Sequence, residues 1–153
     1  LTADELRASG SLEVGSVHCR ALRSSGACRV NGDVEAETAV LSGAAEIGGL
    51  LNAETVEISA NRAVHISAIG GGTIRVLQKD TATVLGIFHT SPGCARIDSI
   101  EGDNIELENV EAEIVRGKYV RIGHGCRIGT VEYGENLEAE PGTVGHSTQT
   151  GTK

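Results

Sequence analysis

Short bursts of alternating apolar and polar residues run through most of this chain, as in Val34-Glu35-Ala36, Val56-Glu57-Ile58, Val64-His65-Ile66 and Ile74-Arg75-Val76. Alternation with a period of two predicts short strands that turn one face inward. Between the bursts fall Gly and Ser-Gly positions, where a corner needs permissive backbone. The bursts recur at a fixed interval. Gly15, Gly32 and Gly49 are evenly spaced, and Val17, Val34 and Leu51 keep the same step, as do Cys19, Ala36 and Ala53. Ser25, Ser42 and Ser59 form another such column, and Val30, Ile47 and Val64 a further one. Small and β-branched residues at fixed offsets are the signature of a solenoid, whose repeats are too short to bury their own apolar side and must stack. Three short strands and three corners fill one such interval, so each repeat is one triangular coil.

Residues 1 to 76 read as continuous solenoid. Ser9-Gly10 matches Ser25-Gly26 one residue short of the usual period, and Leu6 matches Leu22. The chain starts at Leu1, inside a repeat and without an initiator methionine. Either upstream residues have been removed, or the first rung is built to meet another molecule. Residues 77 to 93 break the register, from Lys79-Asp80 to Ser91-Pro92-Gly93. They enclose Val84, Leu85, Ile87 and Phe88, in the most apolar window of the chain. An irregular rung or a loop insertion is one reading; a contact for a partner or a membrane surface is the other.

The repeat then returns with a shorter spacing. Ile100-Glu101-Gly102-Asp103-Asn104-Ile105-Glu106-Leu107 recurs as Val115-Arg116-Gly117-Lys118-Tyr119-Val120-Arg121-Ile122. Apolar and Gly positions are kept while the charges invert. If that shorter step makes one turn, Glu101 stacks on Arg116, Asp103 on Lys118 and Glu106 on Arg121, each pair contributing roughly 0.2–1 kcal/mol. After Val131-Glu132-Tyr133 the pattern dissolves, and residues 135 to 153 read as a flexible polar tail. The prediction is a single β-helix domain over residues 1 to 134, a rod of about seven coils and about 35 Å at the usual strand spacing.

Composition agrees with a narrow core. The chain has 21 Gly, one Phe, two Tyr and neither Trp nor Met, so Val, Ile, Leu, Ala and Cys must fill the interior. Acidic residues outnumber basic ones 21 to 13, a net charge of −8. Nucleic acid and anionic lipid both require clustered Lys and Arg, and are poor partners for this surface. Neither a transmembrane run nor a signal-peptide pattern is present. Cys19, Cys28, Cys94 and Cys126 form no CxxC pair, and read as reduced thiols of a cytoplasmic protein.

Candidate chemistry is sparse. His18, His65, His89, His124 and His146 show no metal-binding spacing. His18 and His65 flank apolar strand positions and should face solvent. Gly70-Gly71-Gly72 lacks the Lys and the helix of a phosphate loop, and reads as a corner. Ile122-Gly123-His124-Gly125-Cys126-Arg127-Ile128-Gly129 resembles the hexapeptide repeats of left-handed β-helix acyltransferases. That likeness would make His124 a general base at a trimer interface. The hexapeptide spacing occurs once, however, and the dominant period is 17 rather than 18.

A wider resemblance covers about residues 1 to 134. Val30-Asn31-Gly32-Asp33-Val34-Glu35-Ala36 and Val40-Leu41-Ser42-Gly43 carry its front half. Its back half lies in Ser99-Ile100-Glu101-Gly102-Asp103, Leu107-Glu108-Asn109, Val115-Arg116-Gly117, Ile122-Gly123-His124-Gly125-Cys126 and Val131-Glu132-Tyr133. In this ordered set the chain resembles the bactofilins, bacterial polymer-forming cytoskeletal proteins, and in particular their Gram-positive relatives. The resemblance implies a right-handed parallel β-helix that polymerises end to end without nucleotide or other cofactor. It also implies a cytoplasmic scaffold, often at the inner face of the membrane, that organises other bacterial proteins. The short N-terminal tail that carries the family's membrane attachment is absent from this sequence.

The expectation is therefore a non-catalytic, self-assembling scaffold. Its N-terminal contact would use Leu1, Leu6, Leu12 and Val14, and its C-terminal contact Ile128, Val131 and Tyr133. Two rivals stand beside it: the acyltransferase with His124, and a capped adaptor that holds a partner through Val84, Leu85, Ile87 and Phe88.

Overall fold

The computed structural model describes residues 2–59, 64–77, 95–123 and 125–149. Eleven strands account for nearly all of them, and no helix occurs among the described residues. In chain order they are β1 (Thr2–Ala8), β2 (Ser11–Val14), β3 (Val17–Ser24), β4 (Ala27–Val30), β5 (Val34–Ser42) and β6 (Ala45–Ser59). Then follow β7 (Val64–Leu77), β8 (Ala95–Leu107), β9 (Val110–Ile122), β10 (Arg127–Ala139) and β11 (Val144–Gln149). Every pairing is parallel, and the order runs from β1 through β3 and then β5 to β11, with β2 and β4 pairing alongside into β6. The chain is an all-β parallel solenoid of about seven turns.

Three inward stacks define the turns. One runs Leu6, Leu22, Ala39, Val56, Ile74, Ile105, Val120, Leu137, each residue in register with the next. A second runs Val17, Val34, Leu51, Ile69, Ile100, Val115, Val131. A third begins Val14, Val30, Ile47, Ile66, Ile97. From Val17 to Val131 every residue of the second stack is at most 3% exposed. His18, Glu35, Asn52, Glu101, Arg116 and Glu132, each following a stack residue, lie on the other side of their strands, so the alternation read from the sequence is the inside and outside of the rod. Full burial of each Leu or Ile contributes about 1.5–3 kcal/mol. The core is Val, Ile, Leu, Ala and Cys, as the aromatic-poor composition requires.

Turn length varies while register holds. The step from Val34 to Leu51 is the common one; Leu6 to Leu22 is one residue shorter, Leu51 to Ile69 one longer, and Ile100 to Val115 two shorter. The pairing of β6 with β7 shifts register at a bulge between Ile47 and Leu50. There the backbone N–H of Leu50 donates to Asp33 Oδ1 at 2.8 Å. Corners demand glycine where the rung beneath crowds them. A Cβ on Gly102 would lie 2.7 Å from the carbonyl oxygen of Gly71, its stacked partner. At another corner Asn109 and Gly125 both take positive φ, 54° and 76°, the conformation that favours Asn and Gly.

Val64 pairs with Ala95 and Val76 with Leu107, so the rungs flanking residues 78–94 are direct neighbours, and Arg75 and Glu106, stacked across that stretch, stand 31 residues apart. The irregular rung or loop insertion read over 77–93 falls, beyond Leu77, on residues that lie outside the described ones. The structure differs from the sequence reading at the expected tail. Residues 135–139 continue β10, and β11 pairs with β10, Ile128 facing Val144 and Val131 facing Ser147. The reason is that a parallel rung is held by backbone groups, which Ser, Thr and Gly supply as well as Val does. Pro141-Gly142 makes its corner, with Gly142 at φ 80° and the Thr143 hydroxyl donating to the Glu140 carbonyl at 2.5 Å.

Because inward stacking carries the stability, Leu51→Ala should cost about 2–5 kcal/mol. Its outward neighbour Asn52→Ala should stay within about 0.5 kcal/mol of the parent. Urea unfolding of the two variants measures the contrast.

Candidate interaction surfaces

The two ends of the ladder come first, since the sequence reading placed its contacts there. Leu6 on β1, and Leu12 and Val14 on β2, belong to the first described turn and are partly buried against the core. Leu1 lies outside the described residues. Beside Leu6, Arg7 bonds the Glu5 carboxylate and holds it below the usual carboxylate range. At the far end two of the expected contact residues lie inside the rod. Ile128 and Val131 are 2% and 0% exposed and are covered by β11, so they belong to the interior. Tyr133 packs partly buried against the core. The outermost apolar residues at this end are instead Leu137 and Val144, both partly buried. On the second stack the last position is Ser147, exposed and polar where earlier rungs carry Val, Leu or Ile. The two ends are therefore unlike.

The flank of the rod carries more ordered chemistry than the sequence suggested. Outward on the face of the first stack lies a column in strict register: Glu57, Arg75, Glu106, Arg121, Glu138. Its charges alternate, and each neighbouring pair is joined. Arg75 reaches Glu57 at 3.8 Å and Glu106 at 3.3 Å; Arg121 reaches Glu106 at 4.0 Å and Glu138 at 3.1 Å. The predicted stacking of Glu106 on Arg121 is present. Glu101 does align with Arg116, but Arg116 bonds Glu132 on the next rung. Elsewhere Arg29 pairs with Glu46 at 3.1 Å and His18 with Glu35 at 3.3 Å, both across one rung.

Parallel to the charge column runs a second one, Thr55, Thr73, Asn104, Tyr119, Asn136. Tyr119 is 48% exposed, an aromatic held outward in a chain that has three aromatics in all. Between the columns lies a groove of about 260 Å³ spanning four rungs, from Thr73 and Arg75 to Asn136 and Glu138. A further hollow, about 460 Å³, lies at the first turns between Arg7, Arg23, Ser25 and Ser42.

The remaining candidates are quickly placed. His124 and the Val84, Leu85, Ile87 and Phe88 window lie outside the described residues. His18 and His65 face outward. Gly70, Gly71 and Gly72 lie within β7, paired between its neighbours. Among the described residues no group of His, Cys, Asp and Glu is placed to hold a metal ion, and no helix is long and apolar enough to cross a membrane. Cys19, Cys28 and Cys126 are buried in the core. Burial pushes the thiols of Cys19 and Cys28 up, the latter partly offset by the Ser24 hydroxyl. That hydroxyl is buried without a hydrogen-bond partner of good geometry.

The architecture defines the class of protein: a parallel β-solenoid with an aliphatic core and ion-paired flanks. The chain is 38% identical over 77 residues to the uncharacterized protein YhbF of Bacillus subtilis (strain 168). The matched stretch is 50% of this chain and 31% of that protein, so it spans under a third of the relative's length. No family model and no solved structure matches the chain.

Two outcomes follow from this geometry. Arg121→Ala removes the link between Glu106 and Glu138 on an open flank of the rod. The cost should be below about 1 kcal/mol, and should vanish at about 1 M salt, as urea unfolding at two ionic strengths will show. The thiols give a pH dependence. Their folded values lie above the ordinary thiol value of 9.0, so the unfolded chain loses its protons first as pH rises. Stability from this source is fully present below about pH 9 and is lost above it. Unfolding measured on both sides of that value, in the parent and in a Cys19→Ala, Cys28→Ala double variant, should show the loss in the parent alone.

Proposed function

We propose that this chain is a structural scaffold that assembles by stacking rod upon rod, in the manner of the bactofilins its sequence resembles. The observation that supports the reading is the continuous parallel ladder from β1 to β11, in which each rung accepts the next through backbone groups. Leu6, Leu12 and Val14 at one end, and Leu137 and Val144 at the other, give such a contact an apolar centre. Because the ends are unlike, their contact is heterologous and propagates instead of closing.

The energy of such a contact comes from strand pairing and apolar burial, so assembly would need no nucleotide. The clients would be other bacterial proteins in the cytoplasm, held along a smooth acidic rod. Nothing in this reading calls for catalysis.

Negative-stain electron microscopy of the purified chain, without nucleotide, tests it. Unbranched filaments are expected, and Leu6→Glu or Leu137→Glu should abolish them while leaving the circular dichroism spectrum of the fold intact. Uniform single particles of the parent at every concentration would overturn the proposal.

A further inference from the structure

The groove between the two outward columns has no part in end-to-end assembly, and its chemistry points to a ligand. Its charged wall holds Arg75, Glu106, Arg121 and Glu138, two cations and two anions that already pair with one another. It therefore presents no net field to an ionic ligand, while the chain as a whole carries −8 and repels polyanions. Its other wall places Tyr119 between Asn104 and Asn136, directly in register on either side. Each amide offers two donors and an acceptor, and the paired guanidinium and carboxylate groups add fixed planar donors and acceptors. Tyr119 supplies a flat, half-exposed surface for an apolar ring face. Planar polar groups that both donate and accept, around one exposed aromatic, match a ligand rich in hydroxyls and built from rings.

The spacing narrows the class further. Successive groups along the groove sit one strand apart, about 4.8 Å, so four rungs span about 14 Å. An extended peptide laid along the axis advances about 3.3 Å per residue and falls out of step. A β-linked chain of pyranose rings advances by about one strand spacing per ring and stays in step. We infer that this groove binds a neutral, extended, β-linked oligosaccharide, with Tyr119 stacking on a sugar ring and Asn104 and Asn136 bonding the hydroxyls of its neighbours. The site lies on the flank, so it is available in a single rod and in a stack of rods. Its failure would be separable from failure of the scaffold reading.

The test is isothermal titration of the full chain with cellohexaose and with chitohexaose, with maltohexaose as the curled, α-linked comparison. At least one β-linked hexamer should bind, maltohexaose should not, and Tyr119→Phe should bind about as well as the parent. Tyr119→Ala should weaken binding about tenfold or more, with its thermal unfolding midpoint unchanged because the side chain is half exposed. Asn104→Ala should weaken binding as well. Absence of binding by both β-linked hexamers would overturn the inference. So would equal binding of maltohexaose, or affinity indifferent to Tyr119→Ala.

Discussion

Each rung of this rod is tied to the next by parallel backbone hydrogen bonds, and these are indifferent to the side chains they carry. That indifference explains how turns of unequal length share one continuous ladder, the longest of them setting Arg75 on Glu106 across 31 residues. Register shifts occur at bulges between Ile47 and Leu50 and between Tyr133 and Asn136. The same property lets β11 extend the rod with Val144 as its one aliphatic side chain, followed by Gly, His, Ser, Thr and Gln. What the side chains decide is register. A slip of one residue would turn every inward Val and Ile to solvent.

Stacking imposes opposite rules inside and outside. Inside, like sits on like: Val17 on Val34, Leu51 on Ile69, Ile69 on Ile100. Outside, directly stacked like charges oppose pairing, and the column from Glu57 to Glu138 alternates in sign at every step. Each exposed pair contributes little, but all four favour the same alignment. The ladder is best understood as a register lock laid over a stability that comes from the core.

The sequence made the first half of this legible because its columns repeat at one interval; Val17, Val34 and Leu51 can be aligned by eye. The back half was legible where charge inversion marked a rung, as with Glu106 and Arg121. Two things were hidden for physical reasons. The pairing of Arg75 with Glu106 crosses 31 residues, a spacing that no periodic search reaches. The rung at β11 keeps Val144 over Ile128 but lacks the apolar marker of the second stack, Ser147 standing where Val131 stands one turn earlier, so its backbone pairing left little trace in hydropathy. The error at Ile128 and Val131 follows from the second: once β11 is present, those residues become interior. Tyr119 was visible as one half of an aligned repeat, but its outward position between two asparagines depends on joining Asn104 and Asn136 across different turn lengths.

The two proposals, stacking of rods at their ends and binding of an extended ligand along the flank, would reinforce each other. In a stack of rods the groove recurs once per copy along a shared axis, so a polymer long enough to reach successive grooves binds each later one as an intramolecular event. A site too weak to hold a short oligomer tightly would then hold a long one well. A smooth rod with modest local affinity would thus be suited to lying along another extended molecule.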